Sequence, residues 1–134
     1  MKENYLCPKC NAHLRVGENV VFYVISKKSN NKGLIMLNPN LGDYSITSHP
    51  KVTFEKGEYV EFYCPVCHAN LAASKINSNL VKIIMVDDLT GQKSDVYFSK
   101  VAGEKSTFRI TDNKIIEKYG DDAHLYSNLF DISE

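Results

Sequence analysis

The sequence predicts a mainly β fold, an elaborated antiparallel sheet with a short C-terminal helical segment. Three observations carry this. Short runs of β-branched and aromatic residues alternate with turn-forming clusters along most of the chain. Two eight-residue stretches, 7–14 and 64–71, nearly copy each other and have the form of tight hairpin turns. From residue 112 to residue 131 the strand-like pattern gives way to apolar residues at helical spacing.

The elements follow in order. Asn19–Ser26 is β-branched and aromatic, and Leu34–Leu37 is a short apolar run. The polar turn 27–33 between them makes the two a hairpin. Residues 38–43 are a loop by their Asn, Pro, Gly and Asp content. Tyr44–Thr47 and Val52–Phe54 are weaker strand candidates around His49-Pro50. Glu58–Tyr63 alternates and leads into the second near-copy. Leu80–Val86, Asp95–Ser99 and Thr107–Thr111 read as three further strands, separated by turns at 87–92 and 102–105. In the C-terminal segment Asp112 is placed to cap a helix carrying Ile115, Ile116 and Tyr119, and Gly120 to end it. Asp121 is placed to cap a second helix with Leu125, Tyr126, Leu129 and Phe130 on one face. Helices this short need a surface to dock on. With 134 residues, a single domain over 1–134 is expected.

All four cysteines lie in the two near-copies, Cys7-Pro8-Lys9-Cys10-Asn11-Ala12-His13-Leu14 and Cys64-Pro65-Val66-Cys67-His68-Ala69-Asn70-Leu71. A C-x-x-C turn points two thiolates at one ion, and two such turns supply four sulfurs for a tetrahedral site. Proline after the first cysteine pre-sets φ for the turn. The residue after the second cysteine often needs positive φ, and Asn11 and His68, types tolerated there, occupy those places. Leu14 and Leu71 would close an apolar cap over each turn. These residues give the chain its resemblance to the zinc-ribbon family. That resemblance implies two β-hairpin knuckles clamping one structural Zn2+ through Cys7, Cys10, Cys64 and Cys67. The 53 residues between the pairs must then fold as an insertion.

Other chemistries compete for the same cysteines. Cys64-Pro65-Val66-Cys67-His68 matches the C-x-x-C-H haem-attachment pattern, which would leave the first pair without a role. A thioredoxin-like thiol pair needs a βαβ setting that neither motif has. His13 and His68 are candidates for contacts around the ion, or in the case of His68 for the left-handed turn position. Asp121, Asp122 and His124 form a local cluster for which helix capping is the simpler account.

Charge narrows the function. With 16 basic and 16 acidic residues the chain is formally neutral, and only Arg15 and Arg109 are arginines. Phosphate-driven nucleic-acid binding needs a clustered cationic surface. Lys9, Lys27, Lys28 and Lys32 would have to gather in space to supply one. The aromatics Phe22, Tyr23, Tyr59, Phe62 and Tyr97 could stack bases, but in alternating strands they are more often core and cross-strand pairs. No nucleophile elbow, P-loop or dinucleotide fingerprint is present. The expectation is a small non-catalytic zinc-binding module engaging a protein partner. A nucleic-acid-binding ribbon and a thiol redox or metal-responsive protein are the alternatives. No apolar run suggests a membrane span, and no leader-like segment precedes Cys7, so a cytoplasmic location is expected.

Overall fold

The computed structural model describes residues 3–111 and 114–126. In chain order the strands are β1 (Glu3–Leu6), β2 (Arg15–Val16), β3 (Asn19–Ser26), β4 (Lys32–Leu37), β5 (Ile46–Ser48), β6 (Val60–Tyr63), β7 (Leu80–Asp87), β8 (Lys93–Ser99), β9 (Thr107–Thr111) and β10 (Lys114–Tyr119). They form two antiparallel sheets. The first has the order β1-β7-β8-β9-β10. In the second, β3 pairs with β4, which pairs with β5, while β2 and β6 share the opposite edge of β3.

The alternation read in Asn19–Ser26 is the reason these sheets stack. Val20, Phe22, Val24 and Ser26 point inward and the residues between them outward. Phe22 meets Phe62 of β6 and Phe98 of β8 edge to face, at centroid distances of 5.3 and 5.8 Å, and Phe62 meets Phe98 at 5.2 Å. Each such pair adds about 0.5–1.5 kcal/mol beyond area burial. One apolar cluster thus joins both sheets, with Tyr5, Ile35, Val81 and Val96 among its members.

The register reveals an internal repeat much longer than the knuckles. Leu6 pairs with Ile84 and Tyr5 with Met85; in the same relation Tyr63 pairs with Tyr23 and Phe62 with Val24. The β3–β4 hairpin (Val20↔Leu37) matches β7–β8 (Val81↔Phe98), and Leu37↔Ile46 matches Phe98↔Thr107. Residues 3–48 therefore follow the same course as 60–109, with one exchange. The first strand of each half pairs with the long strand of the other half.

Several expectations need correction. The helix expected after Asp112 is instead a strand: Lys114–Tyr119 pairs with β9, with a bulge between Ile115 and Glu117. A neighbouring strand edge satisfies its backbone, which local periodicity cannot anticipate. The expected second helix lies partly outside the described residues; among them, helical content is a single 3-10 turn, Ala123–Leu125. Its N-cap position is held by Asp122, not Asp121, and no side chain caps it. The Asp122 carboxylate instead accepts the Lys105 N–H at 2.9 Å. Asp112, Leu129 and Phe130 lie outside the described residues. The turn docks on the host through Ala123 and Tyr126, which bury against Leu80, Tyr97, Phe108 and Ile110 on the outer face of the first sheet, whereas Leu125, expected on the apolar face, is exposed. Val52–Phe54 is not a strand. The Asn31 amide donates to the Lys51 and Thr53 carbonyls at 3.0 Å each, replacing ladder bonds there. No helix among the described residues is long and apolar enough to cross a membrane.

Candidate metal centre

Each knuckle is built by the same backbone bonds. The Cys7 N–H donates to the Ala12 carbonyl at 3.0 Å, and the Asn11 N–H to the Cys7 carbonyl at 2.9 Å. In the second copy Cys64 donates to Ala69 and His68 to Cys64 at the same distances. Leu6 bridges to His13 as Tyr63 bridges to Asn70. Asn11 has φ 63° and His68 φ 64°, so the left-handed position is taken by the two residues that the pattern placed there. Leu14 and Leu71 are buried beneath the turns, at 1% and 2% exposure.

The strand exchange brings the two knuckles together across 53 intervening residues. The outgoing strand of the first knuckle, β2, and the incoming strand of the second, β6, lie on one edge of β3. Symmetrically, β1 and the Ala72 bridge flank one edge of β7, so the incoming arm of the first knuckle meets the outgoing arm of the second. Closing so long a loop costs little more entropy than closing a short one.

All four sulfurs lie within 4.8 Å of one another. Cys7 Sγ is 3.8 Å from Cys67 Sγ, and Cys10 Sγ is 3.8 Å from Cys64 Sγ. A metal–sulfur bond of about 2.3 Å in a tetrahedron sets an S–S edge of about 3.8 Å, whereas a disulfide needs about 2.05 Å. The cysteines are free, Cys7 and Cys64 buried, Cys10 and Cys67 exposed. Backbone N–H groups aim at the buried pair: Lys9 N–H at Cys7 Sγ (3.3 Å), and Val66 and Cys67 N–H at Cys64 Sγ (3.3 and 3.4 Å). Burial pushes the Cys7 thiol up to about 12. Burial acts the same way on Cys64, but the Cys67 and Val66 N–H groups and the neighbouring thiols outweigh it and lower that thiol. Four thiols this close together, two of them buried, cannot all ionise unaided, and a cation at their centre resolves the conflict. The cluster can hold a metal ion, and all-sulfur donors select soft or borderline ions.

The remaining candidates are scattered. Asp121, Asp122 and His124 join no metal-holding group among the described residues, and His124 Nδ1 lies 3.2 Å from the Asp121 carbonyl. Two of the four lysines have carboxylate partners, Lys27 with Glu61 at 3.9 Å and Lys28 with Glu55 at 3.3 Å. Phe22 and Phe62 are core residues, and Tyr97 is buried on the outer face of the first sheet.

The sequence did not reveal a buried ion pair beside the second knuckle. Lys100 Nζ lies 2.5 Å from Glu61 Oε2, at 8% and 4% residue exposure, and Asn70 donates to the other Glu61 oxygen at 3.2 Å. Glu61 sits in an alternating strand and Lys100 at a strand end, so neither has a local signal of burial. No family model matches this chain, and searches of curated proteins and of solved structures give no match either.

Proposed function

We propose that this chain is a small, non-catalytic zinc-binding module whose four-cysteine site is structural, and that it works by presenting a surface to a protein partner in the cytoplasm. The spacing of the four sulfurs carries the zinc reading: 3.8 Å across each inter-knuckle pair fits a closed tetrahedron with no coordination place for water or substrate. The ion would bolt one half of the repeat to the other, and its binding energy would be folding energy.

The protein-partner reading is supported by one face. On the outside of the second sheet, Val21, Tyr23, Ile25, Met36 and Tyr63 are half-buried and Leu34 is 54% exposed. The corresponding face of the other half carries Lys82 and Asp95, 3.8 Å apart, and is partly covered by the C-terminal turn. The patch of Val21, Tyr23, Leu34 and Met36, left open where its twin carries Lys82 and Asp95 and is partly covered, suits a protein contact even though Lys32 and Glu61 lie at its edge beside Ile25. Nucleic-acid binding is disfavoured by the pairing of Lys27 and Lys28 with carboxylates.

Metal analysis of protein purified without added metal, with thiol titration, tests the zinc reading. About one zinc per chain is expected. No thiol should react in the loaded protein, and all four cysteines should react after chelation. Rapidly reacting thiols in loaded protein would support a redox or metal-sensing role instead.

A further inference from the structure

The two long hairpins end in the same turn carrying opposite charge. Residues 26–31 close β3–β4, and residues 87–92 close β7–β8. In each turn the first N–H donates to the last carbonyl, Ser26 to Asn31 at 2.8 Å and Asp87 to Gln92 at 3.0 Å. In each the fifth N–H returns to the first carbonyl, Asn30 to Ser26 at 3.0 Å and Gly91 to Asp87 at 2.8 Å. The fifth residue has positive φ in both, 61° and 75°. On this common scaffold one turn reads Ser26-Lys27-Lys28-Ser29 and the other Asp87-Asp88-Leu89-Thr90.

The surroundings sharpen the contrast. At the second turn Glu3, the cross-strand partner of Asp87, adds a carboxylate, against the single cation Lys93. Asp88 accepts the Asn4 amide, but Glu3, Asp87 and Asp88 form no ion pair among the described residues. Leu89 stands 87% exposed among these charges, and the Leu89 and Thr90 N–H groups hold the turn by donating to Asp87 Oδ1 at 2.8 and 3.2 Å. A lone exposed leucine is ordinary. One fixed at the apex of a rigid turn loses little freedom on being covered.

At the first turn Lys28 is paired with Glu55, and Glu61 is neutralised by Lys100 at 2.5 Å, which leaves Lys27 and Lys32 to set the charge. Between these lysines lies half-buried Ile25, the ladder partner of Lys32. Leu34, two positions along β4 from Lys32, is 54% exposed. Tyr59, whose carbonyl accepts the Lys27 N–H at 3.4 Å, is 50% exposed.

We propose that the acidic β7–β8 turn of one molecule docks on this basic edge of a second copy, with Leu89 seated on Ile25 between Leu34 and Tyr59, and Asp87 and Asp88 facing Lys27 and Lys32. The inference rests on the reading of the open face as a protein contact and names the partner. Charge selects the occupant: carboxylates around an exposed leucine complement lysines around exposed apolar side chains. Each copy has one turn of each sign, so the contact is heterologous and extends head to tail. A contact this small is weak and sensitive to salt.

Sedimentation velocity of the metal-loaded full chain tests this. At low ionic strength the weight-average mass should rise steadily with concentration, with an apparent Kd of about 0.1 mM. It should return to the monomer value at about 1 M salt, where the Debye length is about 3 Å. Leu89→Ser, Asp88→Lys and Lys32→Glu should each weaken association about tenfold or more while near-UV circular dichroism and bound metal stay native. An equimolar mixture of Asp88→Lys and Lys32→Glu should associate again, because the reversed turn of one meets the reversed edge of the other. Lys75→Glu, a charge reversal at an exposed site elsewhere, should associate as the unaltered chain does. A chain that stays monomeric at about 1 mM, or a mixture of the two folded variants that fails to recover association, would overturn the proposal. Metal content measured on the same samples separates either result from failure of the zinc reading. A monomeric chain with its zinc in place would leave the open face to a different protein.

Discussion

The two halves of this molecule share a course but little sequence, and what they keep differs from what they let drift. Turn chemistry is kept. Ser26 Oγ accepts the N–H groups of Lys28 and Ser29, and at the equivalent turn Asp87 accepts those of Leu89 and Thr90. Asn38 Oδ1 caps Asn40 as Ser99 Oγ caps Val101. The core positions instead trade freely among apolar types, Phe22 for Ile83 and Leu37 for Phe98. A core needs volume and pattern, which many residue sets supply. A turn needs an acceptor at one position, and few side chains supply it.

The largest break in this symmetry should come at the cysteines. Cys7→Ser and Cys64→Ser remove buried thiols that receive backbone N–H bonds, the proposed zinc ligands, whereas Cys10 and Cys67 are exposed. Binding of a structural zinc is worth about 10–16 kcal/mol, as much as or more than the total stability of an ordinary domain. Either buried substitution should therefore unfold the chain, seen as loss of near-UV circular dichroism and of bound metal. Cys10→Ser and Cys67→Ser should leave a weaker, more readily chelated site with residual structure. Equal loss from all four would show that burial adds nothing to the ligand role.

The second effect concerns a feature that only one half has. Glu61 is buried against Lys100, whereas its equivalent in the first half is Asn4, a neutral side chain bonded to Asp88. Lys100→Met strands a buried carboxylate and should cost about 3–5 kcal/mol in urea unfolding. Burial raises the Glu61 carboxyl, but the bonds from Lys100 and Asn70 outweigh it and hold it below the usual range. That depressed value makes the pair's stability present at neutral pH and lost as pH falls through the folded-state pKa. In Lys100→Met the main opposition to burial is removed while Asn70 and Lys27 remain, so the Glu61 carboxyl rises and the variant's penalty should shrink as pH falls from neutral toward the ordinary glutamate range. A penalty independent of pH over that interval would mean that Lys100 acts through packing alone.

How much of this was legible follows from the range of each signal. The knuckles, the β3–β4 hairpin and the strands at 80–86, 95–99 and 107–111 are written in local alternation and turn residues, and they stand as read. The strand at Lys114–Tyr119 was misread as a helix because only pairing to β9 settles it. The repeat beyond the knuckles was hidden because its apolar positions have drifted. One trace remained, Gly42-Asp43-Tyr44-Ser45 against Gly103-Glu104-Lys105-Ser106, a G-[D/E]-x-S pattern at equivalent turns with φ 91° and 85° at the two glycines. The convergence of the four sulfurs was anticipated from C-x-x-C spacing, but the strand exchange that produces it was not, since pairing between halves leaves no local mark.

The smallest effect sharpens the comparison at those two turns. Gly42 and Gly103 both hold positive φ, so alanine at either brings about 1–2 kcal/mol of backbone strain. Their surroundings differ. A Cβ at Gly103 would come within 2.8 Å of Lys56 Cγ, a flexible stem on an exposed residue that can swing aside. A Cβ at Gly42 would lie 2.9 Å from Tyr119 Cδ1 and 3.3 Å from its Cγ, against a ring anchored on β10. Relief there has to move the strand that closes the first sheet. Gly42→Ala should therefore cost about 1 kcal/mol more than Gly103→Ala in urea unfolding of the metal-loaded protein. Equal costs would mean that backbone conformation alone governs both turns and that Tyr119 yields as easily as the lysine.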